Sequence, residues 1–189
     1  MREVKAAFDP GNIFNPGKIV DTPPMDTSLR HSAGQGTPDY ETVLDFSDTM
    51  GVLRASEKCN GSGDCRKGPQ AGGTMCPSYM ATREEKHTTR ARANILRQIL
   101  TEPADADRPF NSEEIKEVMD LCLSCKACKS ECPSSVDMTK LKAEFQQHYH
   151  EANGVPLRSR MVAHFADSAR LASFAPRLYN AFFQTPILR

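Results

Sequence analysis

Cys122-Leu123-Ser124-Cys125-Lys126-Ala127-Cys128-Lys129-Ser130-Glu131-Cys132-Pro133 is a C-x2-C-x2-C-x3-C-P run. At this spacing three thiolates wrap one corner of a cubane iron–sulfur cluster, while the fourth, set before a proline, points to a second cluster. That rule calls for a partner motif. An altered one stands upstream: Cys59-Asn60-Gly61-Ser62-Gly63-Asp64-Cys65, then a Gly-rich insertion, then Cys76-Pro77. Aligning the two Cys-Pro ends sets Cys59, Ser62 and Cys65 opposite Cys122, Cys125 and Cys128, and Cys76 opposite Cys132.

Crossed ligation then predicts two unequal sites. Cys122, Cys125, Cys128 and Cys76 form a complete thiolate set for [4Fe–4S]. Cys59, Cys65 and Cys132 leave one corner to Ser62, whose hydroxyl is a hard, high-pKa ligand that competes poorly for cluster iron. This site is expected to hold [3Fe–4S] or a labile [4Fe–4S]. A zinc-stabilised, non-redox interaction module is the alternative, although structural zinc sites pair two C-x2-C knuckles across a longer gap.

The rest of the composition narrows the setting. Seven cysteines among 189 residues is an odd number, and four fall within the run 122–132, which suits metal ligation better than disulfides. Twenty-four basic residues balance 24 acidic ones, so no global field draws the chain to nucleic acid. No apolar run approaches the roughly 18 residues of a membrane span, and the start lacks a signal peptide's apolar stretch. The expected location is cytoplasmic, at most peripheral to the inner face of the membrane.

Asp9-Pro10-Gly11-Asn12 and Asn15-Pro16-Gly17-Lys18 are turn signals, so residues 1–20 read as the end of another domain, followed by a Pro-, Thr- and Ser-rich linker over 21–50. The cluster domain is expected over 51–154 and a helical extension over 155–189. Ile95, Leu96, Ile99 and Leu100 share one face of a helix over 88–101, with arginines on the others. Asn111 and Glu114 form a capping pair for a helix over 112–121 that delivers Cys122. Leu141, Phe145 and Tyr149 mark a third helix over 137–153, stopped at Gly154. The tail is helical around Met161, Phe165 and Ala169 and again around Leu178, Phe182 and Phe183, with a break at Pro176; only 42–46 alternates like a strand. The fold class is mainly α.

Three further groups invite a role. Arg83, Lys86, His87, Arg90 and Arg92 read as helix-surface cations or partners of Glu84 and Glu85, with tuning of a cluster by positive charge as the functional reading. His148 and His150 lie on different helix faces and cannot chelate one metal, so they read as surface histidines. The tail carries Arg158, Arg160, Arg170, Arg177 and Arg189 against Asp167, a face suited to packing on more protein or touching a membrane surface. Met75, Met119, Leu121 and Leu123 are expected to form the apolar shell of the clusters.

The stretch Cys59–Arg66, with Met75-Cys76-Pro77-Ser78-Tyr79, Ala81-Thr82-Arg83-Glu84-Glu85 and Thr89-Arg90-Ala91-Arg92-Ala93-Asn94, resembles the iron–sulfur region of large FAD-linked oxidoreductases of the D-lactate, glycolate and D-2-hydroxyglutarate dehydrogenase type. Residues 5–18, Lys5 to Lys18, are similar to the closing segment of their flavin domain, which has the vanillyl-alcohol-oxidase fold. The resemblance implies an α-helical ferredoxin-like dicluster fold, with Asn15 and Lys18 helping to close a FAD site. It also implies electron transfer from flavin through the clusters to a quinone, a cytochrome or a downstream domain like heterodisulfide reductase. The C-x5-C spacing is similar to the [3Fe–4S] motif of succinate dehydrogenase's iron–sulfur subunit. A stand-alone ferredoxin-type subunit, like the relay of anaerobic glycerol-3-phosphate dehydrogenase, is a further alternative.

Overall fold

Capping decides where the helices of this chain begin. In the computed structural model, which describes residues 1–29, 31, 32 and 34–184, the order is α1 Arg2–Phe8, α2 Val52–Glu57, α3 Pro77–Thr82, α4 Thr89–Thr101, α5 Glu113–Asp120, α6 Ala127–Glu131, α7 Met138–Asn153, α8 Leu157–Ala163, α9 Phe165–Phe174 and α10 Pro176–Phe183. The Thr88 hydroxyl accepts from the Ala91 amide at 2.9 Å, and the Asp137 carboxylate accepts from Lys140 at 3.1 Å, each satisfying an orphan first-turn donor. For α5 the cap is Ser112, accepting from Ile115 at 3.3 Å, one residue beyond the expected Asn111. Asn111 is occupied elsewhere: its side-chain Oδ1 accepts from Asn153 Nδ2 at 2.7 Å.

The architecture is mainly α, and among the described residues no strand occurs, so the alternation at 42–46 is not a strand. Glu144 explains why. Its carboxylate accepts the Val43 and Leu44 amides at 2.8 and 2.9 Å, so those donors are taken by a side chain and not by a neighbouring strand.

The chain divides into two compact units, Met1–Thr37 and Pro38–Arg189. In the first, Asp9 is buried and accepts from Lys5 Nζ and from the Ile13 and Phe14 amides at 2.9 Å each, which closes the turn after α1. Phe8, Ile13, Phe14 and Ile19 are exposed around it.

In the second unit α4 packs on α2, α5 and α7. Leu53, Leu96, Leu100, Ile115, Met119, Leu141 and Phe145 are buried there, each contributing about 1.5–3 kcal/mol over exposure. Residues 38–50, within the stretch expected as linker, belong to this unit: Tyr40 donates to the Leu100 carbonyl and Phe46 is buried. Pro176 opens α10 as its first residue, where a missing N–H costs nothing. Along α8 to α10 Met161, Phe165, Leu171, Phe174 and Leu178 are exposed, and Arg189 lies outside the described residues. No described helix is long and apolar enough to cross a membrane.

Candidate metal centre

Helix ends deliver the cysteines. Cys59 follows α2, Cys65 sits in the short 3-10 turn Asp64–Arg66, and Cys76 precedes Pro77 at the start of α3. Cys122 follows α5, Cys128 lies in the first turn of α6, and Cys132 ends it. Cys65, Cys76 and Cys128 are buried, Cys59, Cys122 and Cys132 are half-buried, and Cys125 is exposed.

The backbone between the sulfurs is unusual for its residue types. Cys76, Ser124 and Lys126 all adopt left-handed conformations, with φ of 56°, 53° and 63°. Non-glycine residues take this conformation at a cost of about 1–3 kcal/mol, and such costs gather at sites where function dictates backbone direction.

Among the described residues no three His, Cys, Asp or Glu side chains converge on a point that one metal ion could occupy. The fit to clusters is tested by the surroundings of the sulfurs. The Thr89 amide donates to Cys76 Sγ at 3.1 Å, with the Thr89 hydroxyl 3.0 Å from the same sulfur. The Met138 amide lies near the Cys128 sulfur and the Arg90 amide near that of Cys65, each favouring the thiolate. Amides aimed at sulfur suit an anionic cluster thiolate, whose potential such bonds help set.

Two groups of sulfurs result. Burial foremost pushes the Cys128 thiol up, and Cys122 and Cys125 lie near enough to add to it electrostatically. Cys65 and Cys76 lie close enough to act on each other, and this mutual influence, foremost among the causes for both, lowers the Cys65 thiol and pushes that of Cys76 up. The alignment of the two motifs assigns these neighbours to different sites.

Cys76 is nonetheless tied to the second motif by two straps, one on Glu131, which the sequence reading did not single out, and one on Arg92, which it read as a helix-surface cation. Glu131, beside Cys132, accepts from the Thr74 amide and hydroxyl at 2.8 Å each and from the Met75 amide at 3.2 Å, and the Thr74 amide foremost holds its carboxyl below the usual range. Gly73, at φ 84°, lets Glu131 approach; a Cβ there would sit 2.4 Å from its carboxylate oxygen. Arg92 donates to the Val118 carbonyl of α5 at 2.7 Å, to the His87 carbonyl at 2.7 Å and to Ser78 Oγ at 3.1 Å. It therefore joins the segment after Cys76 to the helix that delivers Cys122.

Arg92 is thus buried, contrary to its reading as a helix-surface cation, because it shares the face of Ala93, Leu96 and Leu100. Lys142 is its counterpart on the Leu141 and Phe145 face of α7, donating to the Met119 and Cys122 carbonyls at 2.7 and 2.6 Å. A cation inside an apolar stripe was the sequence signal for both. Arg90 pairs with Glu85 at 2.7 Å and Lys86 with Glu117 at 3.0 Å, as surface cations do, while His87 is buried against Thr82 Oγ1 at 2.7 Å. His148 is not a surface histidine either: it stacks on Phe110 at 4.6 Å and bonds Glu144 at 2.8 Å. Of the expected apolar shell, Met75 and Met119 are buried, but Leu121 and Leu123 are exposed because the chain leaves α5 there. Ser62 is exposed, its amide turned back to Asn60 Oδ1 at 3.0 Å.

In the first unit Asn15 and Lys18 line a groove of about 230 Å³ with Met1, Val4, Phe14 and Ile19. Ligand pockets run to about 300–1,000 Å³, so a dinucleotide would need more walls than this segment offers.

The fold and the thiol surroundings define a helical iron–sulfur protein. Residues 58–137 match the model of the 4Fe-4S dicluster domain, and residues 1–19 match that of the FAD linked oxidases, C-terminal domain. These two matches are what the resemblance implied, an iron–sulfur dicluster domain preceded by the end of a FAD-linked oxidase domain. It is 31% identical to D-2-hydroxyglutarate dehydrogenase of Escherichia coli over all of its own length and 22% of that protein, and 29% identical to the Pantoea ananatis protein of that name over 98% and 21%. Over 46% of its length it is 27% identical to 19% of the "Probable glycolate oxidase iron-sulfur subunit" of Bacillus subtilis. The chain spans about a fifth of the D-2-hydroxyglutarate dehydrogenases it matches. No solved structure gives a significant match.

Proposed function

We propose that this chain is the electron-transfer module of a FAD-dependent 2-hydroxyacid dehydrogenase of the D-2-hydroxyglutarate, D-lactate or glycolate type. Residues 1–20 close a flavin domain, 51–154 hold the clusters with 38–50 packed in the same unit, 21–37 join the two, and 155–189 lead toward the electron acceptor, a quinone, a cytochrome or a heterodisulfide-reductase-like domain. The observation that carries the proposal is the Thr89 amide and hydroxyl set 3.1 and 3.0 Å from Cys76 Sγ, in a chain whose first residues match the oxidase family. Asn15 and Lys18 form part of the rim of the flavin site, and the exposed Phe8, Ile13 and Phe14 are the face on which the rest of that domain packs.

The ligand sets are Cys76, Cys122, Cys125 and Cys128 for [4Fe–4S], and Cys59, Cys65 and Cys132 for [3Fe–4S]. Bound there, the clusters supply one-electron transfer. The chain's own residues orient and insulate: Glu131 and Arg92 hold the Cys76 segment against the second motif, while Met75 and Met119 exclude water.

Anaerobic reconstitution with iron and sulfide, followed by metal and sulfide analysis and electron paramagnetic resonance, tests the assignment. The expected product is brown and shows both a [3Fe–4S] signal when oxidised and a [4Fe–4S] signal when reduced. A colourless protein carrying stoichiometric zinc sinks it.

A further inference from the structure

Two basic side chains are buried between the Cys76 and Cys122 segments, and burial foremost pushes the Lys142 ammonium below its usual value. Arg92 is 2% exposed and Lys142 is 7% exposed. Their hydrogen bonds go to the carbonyls of Val118, His87, Met119 and Cys122 and to the Ser78 hydroxyl, and among the described residues neither has a carboxylate at ion-pair distance. Neutral acceptors solvate a cation but do not cancel its charge, and a buried charge without a counter-ion is costly. The two cations are also close enough to repel each other. Asp120, the acid that acts on Lys142, is exposed and paired with Lys116 at 2.8 Å.

What the two cations lack is an anion at ion-pair distance, and the Cys122 thiol lies near enough to act on Lys142. A [4Fe–4S] unit on four thiolates is anionic, and each electron taken up adds one more negative charge. We propose that Lys142 and Arg92 are the built-in counter-charge of the cluster on Cys76, Cys122, Cys125 and Cys128, so that they hold the cluster in the fold and raise its reduction potential. Lys142 acts at the Cys122 end, and Arg92 acts across the strap between the two ligand segments. This rests on the cluster reading above. It adds that the cations are tuning groups, since a purely structural lysine would not move a potential.

The test is a redox titration of the full reconstituted chain, following the reduced [4Fe–4S] resonance in the parent, Lys142→Met and Lys142→Arg, with iron content measured in each. Lys142→Met is expected to disfavour the one-electron reduction about tenfold, which is a potential lower by about 59 mV. Lys142→Arg keeps the charge and should stay near the parent. Should Lys142→Met fail to retain iron, retention in Lys142→Arg still supports the role of the charge. Loss of iron in both, or a Lys142→Met potential equal to the parent's, overturns the proposal. A parent that binds no cluster overturns the cluster reading itself.

Discussion

Glu144 offers the most quantitative test of how residues 38–46 are held to the cluster domain. Its side chain is fully buried and accepts from the Val43 amide at 2.8 Å, the Leu44 amide at 2.9 Å and His148 Nε2 at 2.8 Å. Hydrogen bonds to a charged group each contribute about 1.5–3 kcal/mol net, so the two amide bonds alone represent about 3–6 kcal/mol. Val43 and Leu44 are exposed, so their segment can swing into water and recover part of that loss. Glu144→Ala is therefore expected to destabilise by about 3–5 kcal/mol. Glu144→Gln, which keeps one oxygen but turns a donor toward the second amide, should fall roughly midway. For a chain of this size each kcal/mol lowers the midpoint by about 2–4 °C. The assay is urea and thermal unfolding at matched iron content, since a ligand that binds only the folded state adds stability of its own. Hydrogen exchange at Val43 and Leu44 localises the effect. If Glu144→Ala unfolds within about 0.5 kcal/mol of the parent, the carboxylate does not bind the segment and the bonding scheme is refuted.

Three further outcomes are expected. Ser62→Cys should supply the missing thiolate and convert the [3Fe–4S] signal to [4Fe–4S], with iron rising accordingly; identical spectra and iron content would reject the motif alignment. Gly73→Ala puts a Cβ at φ 84° against the Glu131 carboxylate, and should loosen the Thr74–Glu131 strap and speed iron loss to a chelator, whereas Gly72→Ala, which meets nothing within 4 Å, should do so less. Asp9 is held at about 2, first by Lys5 and then by the Ile13 amide, against about 3.9 for a free carboxyl. Because the folded value is the lower one, its stabilisation is present above about pH 4 and lost as pH falls toward about 2. Amide exchange at Ile13 and Phe14, corrected for the intrinsic rate, should lose protection over that window and not between pH 5 and 8.

The sequence by itself determined the main helices and proposed the donors. Helices α4, α5 and α7 were legible because apolar residues recur at helical spacing and Gly154 ends the last. The cysteine spacing declared a two-cluster site because it is a local property of the backbone, and the FAD-linked family was legible in two separate stretches. Tertiary structure alone decided what surrounds the sulfurs. Glu131 reaches 57 positions back to Thr74, and Lys142 reaches 20 back to the Cys122 carbonyl, distances over which no periodicity speaks. It also decided that Arg92 and His148 face inward, that Leu121 and Leu123 face water, and that residues 42–46 give their amides to Glu144 and not to a strand. The physical reason is common to all: periodicity states which face of a helix is apolar, whereas the partner of a buried polar group depends on which chain ends are brought beside it.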